Sequence, residues 1–323
     1  MQLYCTVCSN NYLAQAGVLG ASVKKHAPGS RYMIFLCDEP LPDIDYTPLA
    51  DEVIPVAAIE PAIHALAARY NTVELNTCLK PRIIEYLFTE RGEEKVIYLD
   101  PDTKLFSSPA FLYQLLDNTS ILLTPHIYTP IPLDNKTPGE STFLNFGLYN
   151  LGFIGLSNTS ETTEFIRWWK NHTYQQGYID VYKGIFVDQL PINHVPIFFK
   201  NVHILHNTGV NMAPWNLHER YLSAAPAGAY MVNGNTSLVF YHFSSFRAGH
   251  MELPLQHYNR FNMAARPDLH ELYRTYNDDL KAAGYARYSH LTPAYDRLRK
   301  GGAAARHAKS KWQLFSFRKR TAH

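Results

Sequence analysis

Short apolar runs alternate with longer amphipathic stretches through the first hundred residues of the chain. Strands are predicted where the apolar runs have strand length, over residues 3–7, 32–37, 52–56 and 96–99. Helices are predicted where apolar side chains recur at helical spacing, over residues 12–26, 59–70 and 74–88. Strands that alternate with helices favour parallel pairing, so the pattern predicts an α/β fold built on a layered sheet.

The alternation becomes less regular after residue 100. Further helices are predicted over residues 110–116, 159–174 and 187–194. Further strands are predicted over residues 120–124, 146–156, 202–205 and 238–243. Residues 125–142 are rich in Pro, Thr and Asp, and they predict a long loop of the kind that often forms a functional lid. From about residue 252 the sequence is polar and predicts helix.

Two carboxylates follow the predicted strand over residues 96–99, in the segment Asp100-Pro101-Asp102. Carboxylate oxygens are hard ligands, and a pair of them at a strand end suits Mg²⁺ or Mn²⁺. Ligands of open α/β sheets bind at the carboxyl ends of the strands, which is where this pair falls. The alternative is a turn that only ends the strand, because Pro and Asp both favour turns.

Composition narrows the class of protein. Of the 323 residues, 46% are hydrophobic and 18% are charged, which is typical of a soluble globular chain, and no run approaches the roughly 20 apolar residues of a membrane helix. The first residues carry no basic segment, so no signal peptide is predicted. Cys5 and Cys8 have C-x-x-C spacing without a second pair, and we expect buried thiols in a reducing, cytoplasmic compartment.

Taken in order, the motifs resemble those of nucleotide-sugar-dependent glycosyltransferases of the GT-A fold, nearest to the retaining family 8 type. The resemblance covers about residues 1–250 and implies a Rossmann-like, mixed, mainly parallel sheet flanked by helices. It divides the chain into a catalytic domain over 1–250, a helical completion over 251–285 and a basic, aromatic C-terminal tail over 286–323. Asp100 and Asp102 match the D-x-D motif of that fold.

The resemblance also implies the cofactors. Mn²⁺ or Mg²⁺ would bridge the donor diphosphate, and a UDP-hexose is the expected nucleotide sugar. His242 lies at the end of a late predicted strand, where the family has its third protein ligand, and Mn²⁺ accepts imidazole beside carboxylate oxygens. By itself, without the motif order, His242 is better explained as a core or surface histidine. The segment departs from the family in carrying Ser244-Ser245 without the usual glycine and lysine, for which Arg247 is a candidate substitute.

Two polar segments match positions that contact the sugar in the family. Asn150, in an Asn-x-Gly segment, would bind donor-sugar hydroxyls, since an amide both donates and accepts hydrogen bonds. Asp188 and Gln189 match the family's acidic-amide pair beside the anomeric carbon and are the predicted catalytic residues. Glycines that permit a close backbone approach would also explain the first segment, and helix capping by Asp188 would also explain the second.

Four further residues are assigned to the donor by the resemblance. Thr6, Cys8 and Asn10 follow the first strand, where such enzymes bind the uracil and ribose. Lys80 resembles a basic residue that the fold places near the donor, where positive charge stabilises a leaving diphosphate. The alternative for Lys80 is a lysine on a helix surface.

Charge is distributed unevenly along the chain. Residues 286–323 carry ten Lys or Arg against one Asp, whereas residues 1–285 carry 20 basic and 27 acidic residues. A basic tail with aromatic side chains predicts peripheral contact with an anionic membrane, and relatives that use lipid-linked acceptors often have one. A disordered solubilising tail or a tail packed on the acidic body would also explain the composition. The acidic body argues against nucleic acid as a partner.

The expected function is metal-dependent transfer of a hexose from a nucleotide sugar, with retention, to a glycan or lipid-linked saccharide. Two alternatives remain from the sequence. Asp100 and Asp102 also fit the D-x-D-x-T loop of haloacid-dehalogenase-like phosphatases, although that motif normally opens its domain and here follows about a hundred residues. The second alternative is a non-catalytic sugar-binding module on a transferase-like fold.

Overall fold

The computed structural model describes residues 1–251 and 258–298. The strands, in chain order, are β1 (Leu3–Cys8), β2 (Arg31–Leu36), β3 (Glu52–Pro55), β4 (Lys95–Leu99), β5 (Thr103–Leu105), β6 (Ile121–Leu123), β7 (Phe153–Ser157), β8 (Ile179–Asp180), β9 (Ile185–Phe186), β10 (Val202–Ile204), β11 (Leu222–Ala224), β12 (Tyr230–Val232), β13 (Thr236–Ser237) and β14 (Phe240–His242). The α-helices are α1 (Leu13–His26), α2 (Ile63–Ala67), α3 (Thr72–Thr89), α4 (Ala110–Leu115), α5 (Glu140–Phe146), α6 (Ser160–Gln176), α7 (Val195–Phe198), α8 (His270–Ala282) and α9 (Tyr285–Tyr288).

A seven-stranded sheet in the order β10-β6-β7-β4-β1-β2-β3 forms the centre of the fold. Its pairs are parallel except those of β7, which is antiparallel to both β4 and β6. In β1 the side chains of Leu3, Cys5 and Val7 enter the core layer beneath α3 and α6. Tyr4 and Cys8 enter the opposite layer, beneath α1 and α8. Burial on both faces explains the continuous apolar runs of the central strands.

Helix α3 begins with a reciprocal cap. The side chain of Asn71 accepts a hydrogen bond from the backbone N–H of Glu74 at 2.9 Å, and the Glu74 carboxylate accepts one from the Asn71 N–H at 2.9 Å. Such a capping box satisfies two of the four N–H groups that a helix leaves without partners. The helix continues through Pro81 to Thr89, as predicted. Lys80 lies on this helix, on the face of the sheet that α3 covers.

A short ribbon beside the main sheet connects distant parts of the sequence. Strands β5 and β14 pair antiparallel, with His242 opposite Thr103. The backbone N–H of Phe243 also donates to the Asp102 carbonyl at 2.8 Å. The ribbon therefore brings the end of a late strand against the segment that follows β4.

The structure confirms the α/β class and the mixed, mainly parallel sheet. Three local predictions were wrong. The predicted strand over 146–156 is a strand only from Phe153, because α5 ends at Phe146 and Gly147 has a φ of 119° that breaks an extended run. The predicted helix over 59–70 is reduced to α2, and the predicted loop over 125–142 contains the first turn of α5.

The C-terminal segment packs on the body as far as it is described. Tyr288 and Tyr295 are buried, and Tyr295 lies in the core layer under α2 and α3. Residues 299–323, which hold most of the predicted basic tail, lie outside the described residues. Within the described part of the chain, none of the helices has the length and apolar character needed to cross a bilayer.

Candidate functional site

Three side chains with metal-binding chemistry converge at the carboxyl edge of the sheet. Asp100 follows β4 directly, Asp102 lies two residues further on, and His242 ends β14. Each offers one ligand atom, and these atoms all lie within 4.8 Å of one another. The sequence predicted these three residues as a ligand set, and the β5–β14 ribbon brings them together.

Asp102 and His242 form a charged pair. The Nε2 atom of His242 lies 3.1 Å from Oδ1 of Asp102. Burial alone would lower the pKa of His242, but the Asp102 carboxylate outweighs it and raises that pKa. Burial likewise opposes ionisation of Asp102, and the imidazole still holds the pKa of this carboxyl below its ordinary value. Both groups are thus favoured in their charged forms.

The residues present fit a divalent cation of the Mn²⁺ type. The donor set is two carboxylates and one imidazole, which Mn²⁺ accepts more readily than Ca²⁺ does. The Nδ1 atom of His242 is buried and has no hydrogen-bond partner among the described residues. A buried polar atom without a partner costs free energy, which a bound ligand would recover. The surface-histidine alternative is thus wrong, since His242 is 4% exposed, and its role as a ligand stays a prediction.

Because Gly152 has no side chain, the imidazole ring of His242 can pack directly against its backbone. A Cβ atom at this position would overlap the His242 ring and lie 2.8 Å from Oδ1 of Asn150. The Gly152 carbonyl also accepts a hydrogen bond from the Asp100 N–H at 2.8 Å. A residue without a side chain is required here because backbone and imidazole approach closely.

Lys80 lies buried next to the candidate metal ligands, which excludes the helix-surface alternative. Its Nζ atom lies 3.1 Å from Oδ1 of Asp100 and 3.2 Å from Oδ2 of Asp188, and it donates to the Leu151 carbonyl at 2.9 Å. Burial would lower the pKa of Lys80, but the two carboxylates raise it above its ordinary value. The ammonium group therefore remains charged and holds the two carboxylates together.

Asp188 is buried on the far side of Lys80. Burial raises the pKa of its carboxyl to about 6, although Lys80 opposes this shift. The helix-capping alternative is wrong, because the following 3₁₀ helix begins at Leu190 and no side chain caps it. The preceding residue, Val187, has a φ of 39°, which is unusual for a β-branched residue. Asp188 follows this residue directly and lies 3.2 Å from the Lys80 ammonium group.

Gln189 and Asn150 belong to one amide network. The Oε1 atom of Gln189 accepts from the Leu151 N–H at 2.9 Å and from Nδ2 of Asn150 at 3.3 Å. Nδ2 of Asn150 also lies 3.3 Å from Nε2 of His126, and Oδ1 of Asn150 accepts from Nδ2 of Asn211 at 3.0 Å. The network fixes the orientation of both predicted amides.

A cavity of about 630 Å³ lies at this edge of the sheet. The polar side chains that line it, which we call its polar side, include Lys80, Asp100, Asp102, Asn150, Asp188, Gln189 and His242. The apolar side chains that line it include Val73, Phe143, Phe146, Phe186, Val187, Trp215 and Tyr258. Seven of the ten residues predicted from the sequence thus share one cavity large enough for a small ligand.

The other three predicted residues lie elsewhere. Thr6, Cys8 and Asn10 are buried and do not line the cavity. The Asn10 side chain donates to the Glu39 carbonyl at 2.9 Å and accepts from the Tyr46 hydroxyl at 2.7 Å. Burial raises the pKa of the Cys8 thiol to about 12. Their role in binding uracil and ribose stays a prediction.

The sequence did not indicate His126, Tyr98 or Gly152 as site residues. His126 is buried, its ring lies 5.3 Å from that of Trp215, and burial lowers its pKa to about 3. Tyr98 donates from its hydroxyl to Oδ1 of Asp100 at 2.7 Å. His126 follows closely on β6, so its position near a strand end was a usable signal.

No protein-family model matches the chain. Comparison with known proteins gives relatives by sequence and several solved structures with a similar fold. The uncharacterised protein YfnF of Bacillus subtilis strain 168 is 27% identical over 280 residues, which are 84% of this chain and 90% of YfnF. The glycosyltransferase GlyE of Streptococcus pneumoniae TIGR4 aligns with a TM-score of 0.50 at 14% identity, over 91% of this chain and 66% of GlyE. The galactosyltransferase LgtC, solved with donor and acceptor sugar analogs, aligns with a TM-score of 0.49 at 14% identity, over 92% and 99% of the two chains.

The likeness to GlyE concerns the fold. Together with the mixed sheet and its flanking helices, it confirms the GT-A fold that the motifs predicted. Both solved structures named above are glycosyltransferases.

Replacing Gly152 with Ala should weaken Mn²⁺-dependent binding of UDP by about tenfold or more, because the added methyl group displaces the His242 ring and overpacking typically costs about 1–3 kcal/mol. Isothermal calorimetry with and without Mn²⁺ measures the effect. Gly139→Ala is the matched control, since its Cβ would meet nothing nearer than the Lys136 carbonyl at 3.7 Å. Equal UDP binding by both variants would contradict the role given to Gly152.

Proposed function

We propose that the protein is a metal-dependent glycosyltransferase that moves a hexose from a nucleotide sugar, with retention, to a saccharide or lipid-linked acceptor. One observation carries this proposal: Asp100, Asp102 and His242 meet in the same cavity as the Lys80–Asp188 pair. The GT-A fold and the glycosyltransferases that share it support the proposal. UDP is the proposed nucleotide, from the motif resemblance.

The polar side of the cavity suits a nucleoside diphosphate. Asp100, Asp102 and His242 would hold Mn²⁺ or Mg²⁺, which neutralises the diphosphate of the donor. Lys80 supplies a fixed positive charge beside these residues, in a site where water is largely excluded and charges interact strongly. The donor diphosphate would therefore bind at this end of the cavity.

The sugar would lie over Asp188, Gln189 and Asn150. Asp188 would be the carboxylate nearest to the transferred carbon, as the motif resemblance implies, and its ion pair with Lys80 keeps it beside Asp100. Gln189 and Asn150 have fixed amide orientations, which suits recognition of hydroxyl groups. These are the roles that the motif resemblance implies for the same residues.

The fold bears differently on the two alternatives, the phosphatase and the non-catalytic sugar-binding module. A haloacid-dehalogenase-like phosphatase requires another fold, so the GT-A fold rules against it. A non-catalytic sugar-binding module shares the fold, and only turnover distinguishes it from an enzyme. The buried charges of Lys80 and Asp188 favour an enzyme, because perturbed ionisable groups in a cavity are typical of active sites.

Asp102→Asn should abolish Mn²⁺-dependent UDP binding and leave the melting temperature nearly unchanged, because one ligand loses its charge at a partly exposed strand end. Calorimetry in the presence and absence of Mn²⁺ provides the measurement. Asp117→Asn, at an aspartate far more exposed to solvent, is the control and should bind UDP normally. Wild-type UDP affinity in the Asp102 variant would remove Asp102 from the ligand set.

Asp188→Asn should slow sugar transfer by roughly a hundredfold or more while UDP-sugar binding stays nearly intact, because the lost charge acts mainly in the transition state. Initial rates of transfer and of donor hydrolysis, together with donor affinity, separate the two effects. Asp180→Asn is a control in the neighbouring hairpin, where the aspartate pairs with Lys183. Normal turnover in the Asp188 variant would refute its catalytic role and reopen the binding-module alternative.

We also propose that residues 299–323 hold the enzyme on an anionic membrane. Eight of the ten basic residues of the predicted tail lie in this segment. Full-length protein should co-sediment with vesicles containing phosphatidylserine at low salt and dissociate as salt rises, because each basic residue near the surface contributes about 1 kcal/mol and salt screens it.

The matched truncation ends at Leu298, since Tyr288 and Tyr295 pack in the body and must be retained. The truncated chain should stay in the supernatant and still bind UDP. Vesicles of phosphatidylcholine alone serve as the lipid control. Equal sedimentation of both chains, or of neither, would exclude the membrane role of the tail.

A further inference from the structure

Several apolar side chains are exposed to solvent at one side of the cavity mouth. We define the apolar rim as Val73, Phe146, Ile179 and Phe186. Val73 is 58% exposed, Ile179 is 38% exposed and Phe146 is 37% exposed. Val73, Phe146 and Phe186 also line the cavity. The rim is therefore continuous with the candidate reaction site.

Specific contacts hold the rim together. The Ile179 N–H donates to the Glu74 carboxylate at 2.9 Å, which joins the β8–β9 hairpin to the first turn of α3 beside Val73. Ile179 pairs directly with Phe186 in the hairpin. The ring of Phe186 in turn lies 4.8 Å from that of Phe146, at 70°. Three separate elements thus present one surface.

The same three elements carry a large share of the exposed apolar groups. Thirteen large hydrophobic side chains are exposed in the described part of the chain. Six of them lie on the start of α3, on α5 with the loop after it, and on the β8–β9 hairpin, namely Val73, Leu144, Phe146, Leu148, Ile179 and Tyr182. Exposed apolar side chains on three elements that contact one another beside a cavity are typical of a binding surface.

The rim also lies close to the proposed reaction centre. The Phe146 carbonyl accepts a hydrogen bond from Nε2 of Gln189 at 2.7 Å. Phe186 is separated from Asp188 only by Val187. A ligand whose apolar part lies on the rim would therefore have its polar part within reach of Gln189 and Asp188.

Chemistry identifies the occupant. A nucleotide sugar has no aliphatic portion, and its phosphates and hydroxyls require the polar side of the cavity. We propose that the acceptor is an amphiphile, with its sugar in the cavity and an aliphatic chain lying over the apolar rim. This inference rests on the proposed glycosyl transfer, and it narrows the acceptor from any saccharide to one that is linked to a lipid-like chain.

Methyl and octyl β-D-galactoside provide the matched probes, used below the micelle-forming concentration with full-length protein, UDP and Mn²⁺. Calorimetry should show that the octyl compound binds about tenfold more tightly than the methyl compound, or better, because each methylene group buried on the rim adds affinity. Ile179→Ser and Phe146→Ser should reduce this ratio to about twofold or less, since both replace an exposed apolar side chain with a small polar one. Ile197→Ser should keep the full ratio, because Ile197 is 77% exposed on α7 and does not line the cavity.

The outcomes separate this inference from the proposed function. UDP and Mn²⁺ are titrated first, and absence of UDP binding would count against the glycosyltransferase itself. Normal UDP binding with no preference for the octyl probe would overturn the rim as an acceptor site. A preference that survives in both rim variants would place the chain elsewhere and would also overturn it. Concentration-dependent dimers that Ile179→Ser abolishes, seen by light scattering, would assign the rim to a second copy instead.

Discussion

The ammonium group of Lys80 is the interaction on which the site depends. It is almost wholly removed from water, and burial of a single charge costs several kcal/mol unless partners replace the lost hydration. Asp100 and Asp188 lie within 3.2 Å of the ammonium group as ion-pair partners, and the Leu151 carbonyl accepts a hydrogen bond from it. The loss of either carboxylate would leave the charge incompletely compensated, so α3, β4 and the chain before the 3₁₀ helix hold one another in place.

The topology of the sheet explains why separate parts of the sequence meet there. Parallel strands end at the same edge, and Asp100 follows the central strand β4. The antiparallel strand β7 brings Gly152 back beside it, and the β5–β14 ribbon adds His242 from residues far along the chain. The polar side of the cavity is therefore assembled mainly by backbone pairing, and its side chains need little freedom to reach one another.

The sequence predicted the parts of this arrangement that depend on local pattern. Asp100 and Asp102 could be recognised because a buried strand ends directly before them, and His242 because a late strand ends on it. The burial of Lys80 could not be predicted, since it depends on two carboxylates from other elements. The segment from Phe146 to Gly152 was misassigned because alternating apolar residues suggest a strand, whereas the positive φ of Gly147 and the end of α5 exclude one. His126 was missed because its loop has no regular pattern.

Val187 has a consequence for how such a protein could diversify. A β-branched residue at positive φ costs on the order of 1–3 kcal/mol, and it persists only where the surroundings determine the backbone. Phe186, the residue before it, belongs to the apolar rim, and Asp188, the residue after it, is buried against Lys80. One residue thus separates a side chain of the rim from a buried charge. A substitution at Phe186 would therefore alter the rim without removing any atom of the Lys80–Asp188 pair, so the surface that meets a partner molecule and the charges that serve the chemistry can be changed separately.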